Sequence, residues 1–399
     1  MAQTLEGIRV LELGQLVAAP SAGRILADFG ADVIKVEPLG GDPLRKWGNV
    51  SPSGSSWWWF MQSRNKRLIA VDLKNPTGQE IVRRLASQVD VVIENLRPGR
   101  LERWNLGYDQ ISAINPAIIY VSISGFGLTG PYRERPGFGN IAEAMGGVRY
   151  ITGFADRPPV RTGVSLGDEL AALQAVIGIL LALHKRDHDP ARRGDYVDVA
   201  LTESVLSITE ALIPEYVNAH IVQERTGNQL LRAAPSNTYP TRDNHWIAIG
   251  ANSSGTFLLL VEAMGREDLL RDERFATNPG RVAHAGLLDD IIASWTSQYP
   301  LRELMDILTN AGVPAGPVMS AADIAADAQV QARGIIENVT GEGHEPVGML
   351  GVVPRLARHP GHIRWAGGAI GQHTDEVLRD LVQASPENLE EWRSSGVIR

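Results

Sequence analysis

IRVLELGQLVAAPSAGRILADFGADVIKVE, Ile8 to Glu37, is the stretch whose reading decides the fold class. Ile8–Leu13 is a short apolar run that predicts a strand. Pro20 and Ser21 open a helix through Phe29, proline suiting a first helical turn because its missing N–H has no partner there anyway. Gly30 closes that helix, and Ala31–Glu37 reads as the next strand. The rhythm continues outward. Strands are expected at Leu68–Leu73, Val89–Asn95 and Ile118–Ile123, with helices at Pro76–Ser87 and Asn140–Met145. Strand–helix alternation of this kind implies an α/β fold, a doubly wound parallel sheet with helices on both faces.

At 399 residues the chain exceeds the roughly 250–300 at which one hydrophobic core stops growing, so a second domain is expected. The texture changes near Asn228, where an Ala/Pro/Asn-rich connector precedes a strand at Trp246–Gly250 and helices at Thr256–Met264 and Leu301–Asn310. The expected organisation is a large α/β domain over 1–225, a small domain over 226–325 and a segment, 326–399, returning to the large one.

Composition narrows the chemistry. The chain has no cysteine, which removes thiol nucleophiles, disulfides and thiolate metal sites and suits a cytoplasmic location. A net charge of -8 offers no global attraction to nucleic acid or an anionic membrane, so any anionic ligand must be held by local cations. The N-terminus lacks the basic flank and apolar core of a signal peptide. Leu170–His184 is free of charged residues but falls short of the ~18–20 needed to span a bilayer, and reads as a core helix. His184 and His188, and His359 and His362, have metal-like spacing but polar or basic surroundings, and read as surface residues; no metal site is expected.

Four candidate chemistries remain. Gly14-Gln-Leu-Val-Ala-Ala-Pro20 sits where a dinucleotide fold places its phosphate loop, yet lacks the second and third glycines that let backbone approach a pyrophosphate. Gly163, Ser165 and Gly167 spell G-x-S-x-G, but Arg157-Pro-Pro-Val-Arg-Thr162 before them is a poor central strand for a hydrolase nucleophile. Ser165 and Asp168 also form S-x-x-D, a capping-box variant at a helix start. Asp168 there is open to two readings, a cap or an ionised carboxylate able to attack an activated acyl group. Finally, Arg64, Lys66, Arg67 and Lys74 flank one expected strand, and Arg97, Arg100 and Arg103 follow another; these are either solvated charge or a polyphosphate cradle. Trp57-Trp58-Trp59-Phe60 reads as core or subunit interface.

The motifs Gly7-Ile-Arg-Val-Leu-Glu-Leu13, Ala27–Glu37, Asn65-Lys-Arg67 with Val71-Asp-Leu73, Asp90-Val-Val-Ile-Glu-Asn-Leu-Arg-Pro-Gly99, Ile123-Ser-Gly-Phe-Gly127 and Gly371-Gln-His-Thr-Asp-Glu-Val-Leu378 together resemble the class III CoA-transferases, which include formyl-CoA transferase and the carnitine CoA-transferases. The resemblance spans almost the whole chain. It implies that Asp168 is the nucleophile of an acyl exchange passing through an aspartyl-CoA thioester. CoA contacts are implied for Leu16 and Val17, for Val71, Asp72, Leu73 and Lys74, for Asn95, Leu96 and Arg97, and for Arg103 and Phe138. CoA thioesters are then substrates, with no permanently bound cofactor, and the assembly is an interlocked homodimer of ring-like subunits. Arg135–Gly139 and Pro159–Asp168 look most like members that use succinyl-CoA and small dicarboxylic acids, with Arg149 or Arg161 expected to read the second carboxylate. Two departures stand out. Gly139 replaces an acidic residue that helps position the nucleophile in many members, leaving that task to water or Glu143. Gly250–Gly255 stands where a glycine-rich lid is expected. The α-methylacyl-CoA racemases share the fold but place a histidine within the segment matching Pro136–Asn140; this chain has no histidine before His184, so racemase activity is the alternative reading. A non-catalytic CoA-binding protein is the other.

Overall fold

The computed structural model describes residues 3–341 and 344–399. It divides into two compact units, one built from residues up to Val148, Thr162–Ile213 and Gln329 onward, the other from Arg149–Arg161 and Pro214–Ala328.

In the first unit, strands β1 (Arg9–Glu12), β2 (Asp32–Glu37), β3 (Lys66–Ala70), β4 (Val91–Glu94), β5 (Ile119–Ser124) and β6 (Asp195–Ala200) form one sheet. Its order is β3-β2-β1-β4-β5-β6 and every pairing is parallel. The chain leaves β1 toward β2 and β3, then returns to lay β4 on the other side of β1. That reversal is a topological switch point, where open α/β sheets bind ligands beyond the carboxyl ends of their strands. Up to residue 206 the helices of this unit are α1 (Ala18–Asp28), α2 (Trp57–Ser63), α3 (Pro76–Ala86), α4 (Arg100–Arg103), α5 (Tyr108–Ile114), α6 (Gly139–Met145), α8 (Leu166–Asp187) and α9 (Leu201–Leu206), while α7 (Val148–Ile151) lies almost wholly in the second unit.

Alternate strand residues feed two cores. Val10, Val33, Ile93 and Val121 face α1 and α8, whereas Leu11, Ile34, Val92 and Tyr120 face α3 and the C-terminal helices Thr374–Val382 and Pro386–Ser394. The expected strand at Leu68–Leu73 is instead Lys66–Ala70, because past Ala70 the chain turns to meet the C-terminus: Val71 bridges Ile398 and the Asp72 N–H donates to the Val397 carbonyl at 2.8 Å. The outer edge of β3 is closed by the Gly371–Leu378 motif. The Leu68 N–H donates to His373 Nδ1 at 3.0 Å and the Ala70 N–H to Thr374 Oγ1 at 3.2 Å. A sheet edge that would otherwise invite pairing with another chain is thereby satisfied internally.

By length and composition α8 could cross a membrane, but Ala171, Ala172, Ala175, Ile179 and Leu183 bury one of its faces in the core against α1 and α9. Its other face leaves Leu173, Ile177, Leu180 and Leu181 exposed, so the helix is half core and half surface rather than wholly buried. The tryptophan run is divided the same way: Trp59 and Phe60 are buried, while Trp57 is 47% exposed.

The second unit carries its own three-stranded antiparallel sheet, β7 (Ser236–Pro240), β8 (Trp246–Gly250) and β9 (Ala315–Pro317), with helices Ser254–Ala263, Ala285–Thr296 and Leu301–Asn310 around a separate core. The Gly250–Gly255 segment is an ordered turn within it. Ala251 is buried, the Asn252 carbonyl receives Arg281, and Ser253 caps the next helix through a capping box with Thr256. The tail contributes the hairpin β10 (Ile336–Gly341) and β11 (His344–Leu350).

Candidate active site at the sheet switch point

The loop after β1 is held from below by buried charge. Lys35 Nζ lies 2.9 Å from Glu12 Oε1, Asp42 Oδ2 and the Gly14 carbonyl, and Lys66 Nζ lies 2.7 Å from Glu12 Oε2 and the Pro20 carbonyl. The two cations and two carboxylates balance, which is the condition for keeping such groups out of water. Burial pulls the Lys66 ammonium down to about 8 against the Glu12 charge that supports it, while Asp42 and Glu12 hold Lys35 above the usual lysine range. Gly23 makes room for this network inside α1, since a Cβ there would stand 2.1 Å from Glu12 Oε2.

Above the network, Asn95 clasps the loop. Its Oδ1 accepts the Gln15 N–H at 2.8 Å and its Nδ2 donates to the Gln15 carbonyl at 2.9 Å. Leu16 then adopts φ 64, a left-handed conformation that costs a non-glycine residue about 1 kcal/mol or more and persists only where the surroundings impose it. Its N–H is taken by both oxygens of Asp42 at 3.3 Å.

Two cavities open here. One, about 280 Å³, is lined by Leu16, Val17, Asn95, Leu96, Arg97 and Arg100 on one side and by Arg135, Phe138 and Asp168 on the other. The second, about 110 Å³, is lined by Val71, Asp72, Leu73, Lys74, Leu96, Arg100 and Trp104. Gln15, Leu96 and Arg100 are common to both. Of Asp168 and the CoA contacts implied by resemblance, only Arg103 lines neither cavity. Among the described residues no ion pair is made by Arg97, Arg100 or Arg135. The Arg135 guanidinium instead lies 3.6 Å from the centroid of the Tyr132 ring, and sequence reading missed it as a cleft residue; a tyrosine three positions before an arginine in a Gly/Pro-rich loop was the available signal.

The other basic cluster is structural, which corrects its reading as a phosphate cradle. Arg64 makes a bidentate pair with Asp28, Lys66 belongs to the network beneath the loop, and Arg67 pairs with Asp32 and Glu376. Lys74 alone of that group lines either of the two cavities at the switch point. The Asn65 of the same motif joins Asp28, the His362 carbonyl and the Arg364 N–H.

Asp168 is the third residue of α8. The expected capping box does not form: Ser165 is the N-cap residue but its hydroxyl caps nothing. A helix N-terminus favours a carboxylate, yet here burial, then Glu169 and Glu143, push the Asp168 carboxyl up to about 6. It accepts no hydrogen bond among the described residues. Gly139 touches the nucleophile directly: a Cβ at that position would stand 2.1 Å from Asp168 Oδ2, so a side chain there requires this carboxylate to turn away from its present place. Gly167 packs as tightly, its Cβ position lying 2.8 Å from the Gly139 carbonyl. One turn along α6, buried Glu143 accepts the Gly167 N–H at 3.4 Å and ties the start of α8 to α6. Arg149 and Arg161 belong to the second unit. Among the described residues no group of three or more His, Asp or Glu side chains could hold a metal ion.

A family model described as CoA-transferase family III matches residues 5–374. The chain belongs to this family. It is 47% identical over 395 residues to the succinyl-CoA–D-citramalate CoA-transferase of Chloroflexus aurantiacus, covering 99% of this chain and 98% of that one. It is 39% identical to the beta subunit of the succinyl-CoA–L-malate CoA-transferase of the same organism, again over 99% and 98% of the two chains. The crystal structure of a CaiB/BaiF family protein from Brucella suis superposes with a TM-score of 0.86 at 35% identity, covering 96% of this chain and all of that one. The α/β fold with a central parallel sheet and the CoA-transferase class are thereby established. As a family III enzyme the chain handles CoA thioesters as substrates.

Proposed function

We propose that the enzyme moves CoA from succinyl-CoA to a small dicarboxylic acid of the malate or citramalate type, through covalent intermediates on Asp168. The observation that carries this reading is one cleft that joins a desolvated carboxylate to three arginines without acid partners. The relatives named for succinyl-CoA with citramalate or malate support the choice of donor and acceptor.

Lys74, Arg97 and Arg100 supply charge for the CoA phosphates, guanidinium forks being well matched to them. The Asn95–Arg97 turn and the Leu16–Val17 loop form the walls against which the rest of CoA lies. Asp168 attacks the thioester carbonyl through a carboxylate oxygen; the C–S bond breaks and CoA leaves as the thiolate. The succinyl-aspartyl anhydride is then attacked at the aspartyl carbon by that thiolate, which releases succinate and leaves the aspartyl-CoA thioester. The acceptor carboxylate attacks this carbon, CoA leaves once more, and the thiolate takes the acceptor acyl group from the second anhydride. Asp168 is restored as a carboxylate and no proton is consumed. Its raised pKa makes it the more basic nucleophile while leaving most of it ionised at neutral pH.

Arg135, rather than Arg149 or Arg161, is assigned to the second carboxylate. It shares the cleft with Asp168, and its stacking on Tyr132 limits the freedom it must lose on binding. The racemase reading lacks support, because no histidine lines the cleft among the described residues. A homodimer accounts for Leu173, Ile177, Leu180 and Leu181, which line one face of α8 as a surface for a second copy; light scattering of the purified protein is expected to give twice the chain mass.

The test is an acceptor panel with succinyl-CoA. Malate, citramalate and their relatives should accept CoA, and a monocarboxylate of similar size should react at least tenfold less efficiently. Arg135→Ala should erase that preference. Equal efficiency with mono- and dicarboxylates in the wild type would contradict the acceptor assignment.

A further inference from the structure

The proposed chemistry leaves one buried acid at the switch point without a role. Glu94 is the last residue of β4 and only 8% exposed. Its Oε2 accepts the Leu96 N–H at 2.7 Å, and the nearby Ser122 hydroxyl favours the ionised form of the same carboxylate. Behind Ser122 stands Tyr196, its hydroxyl 3.1 Å from Ser122 Oγ. Tyr108 stacks on Tyr196 at 4.5 Å, and Tyr120 meets Tyr196 edge-on at 5.6 Å. Leu96 lines both cavities, and its neighbours Asn95 and Arg97 line the first.

We propose that Glu94 is a positioning residue for the CoA thioester: its carboxylate, walled in by Ser122 and the tyrosines, holds the Leu96 N–H and so fixes the Asn95–Arg97 turn on which CoA lies. The inference rests on the placement of CoA in these two cavities. A charged acceptor makes a hydrogen bond roughly twice as strong as a neutral one, so the hold depends on ionisation. Burial, and behind it Glu102, raise the Glu94 carboxyl to about 7, against the opposing effect of Ser122 and the Leu96 N–H. The titratable groups facing it are Glu102 from α4, Tyr120 from β5 and Tyr196 from β6. Both tyrosines are themselves pushed upward by burial and stay neutral through the range in question. Neither tyrosine therefore masks the change of charge on Glu94 near neutrality. The sign follows: above the midpoint the carboxylate grips the turn and CoA binds well, and below it the grip slackens.

The experiment is calorimetric titration of free coenzyme A into wild type, Glu94→Gln, Glu94→Ala and Arg97→Ala across pH. Free CoA separates binding from acyl transfer, and its own phosphates titrate identically with every variant. Glu94→Gln keeps an acceptor oxygen of the same shape without the charge, and circular dichroism verifies that each variant is folded. Glu94→Gln should bind about fivefold more weakly than wild type near pH 8.5 and equally near pH 5.5, the two converging as wild-type Glu94 protonates. Glu94→Ala should be weaker still at the higher pH. A wild-type to Glu94→Gln ratio that stays constant with pH, or a folded Glu94→Ala with unchanged affinity, overturns the proposal. Arg97→Ala keeps the two ideas apart: unchanged affinity there overturns the CoA placement itself, whereas weakened binding with a constant Glu94 ratio overturns only the role of Glu94.

Discussion

Two clusters of cations flank β3 and β4, strands consecutive in the chain but separated in the sheet by β2 and β1, and they have opposite fates. Arg64, Lys66 and Arg67 surround the start of β3, and each meets a carboxylate, from Asp28, Glu12 and Asp32 respectively. Arg97 and Arg100 follow β4 and, with Arg135 across the cleft, meet none among the described residues. The first set is balanced and mostly buried, and serves the fold. The second is exposed and unbalanced, and serves an anion that comes from outside. A charge acquires its role from its partner, and the partners here are remote in sequence.

That contrast can be broken by substitution. The largest effect belongs to the carboxylate the second cluster surrounds. Asp168→Ala should lower kcat for CoA transfer by about 10³-fold or more, with KM for the acyl-CoA changed little, because the residue acts in the chemical steps. Steady-state kinetics with succinyl-CoA would show this. Next comes the balanced cluster. Arg64→Ala strands the Asp28 carboxylate without its bidentate partner, and should cost roughly 3–5 kcal/mol of stability in denaturant titrations, the range for breaking a buried pair. Gly139→Ala sharpens the comparison at the nucleophile. Its Cβ needs the place Asp168 Oδ2 occupies, so kcat should fall about 10²-fold, in keeping with small misplacements of reacting groups, while the melting temperature moves little. Enzyme acylation at saturating succinyl-CoA should lose roughly tenfold per pH unit below the Asp168 midpoint, since the attacking carboxylate is protonated there; rapid-quench measurement between pH 5 and 8 would place that midpoint near 6. Arg97→Ala is the mildest. It should raise KM for acyl-CoA about five- to tenfold at unchanged kcat, and leave stability within about 0.5 kcal/mol, as expected for an exposed charge.

Much of this fold is legible in the chain because the strands near Val10, Val33, Val91 and Ile119 are short apolar runs separated by helices with clear start and stop residues. The register of β3 is not, since what ends it is Val397 at the far end of the molecule. The misreading of Arg64, Lys66 and Arg67 has the same origin: Asp28, Glu12 and Asp32 reach them through the fold rather than along the chain. Asp168 is visible only as a carboxylate at a helix start, and local pattern leaves capping and attack equally open. The structure removes the capping box, and Gly139 and Gly167 bring α6 and the start of α8 into close contact beside the Asp168 carboxylate. Arg135 comes to the cleft from a loop that periodicity does not reach. The exposed half of α8 is likewise hidden in the sequence, because an apolar run looks alike whether one face or both are covered.

The most direct test of the central claim is the intact mass of the protein after mixing with succinyl-CoA, wild type beside Asp168→Ala and Ser165→Ala. The account predicts a CoA-sized adduct on wild type and on Ser165→Ala, removed by hydroxylamine and absent from Asp168→Ala. An adduct that persists on Asp168→Ala, or a wild type that exchanges CoA at full rate without ever carrying one, would contradict it.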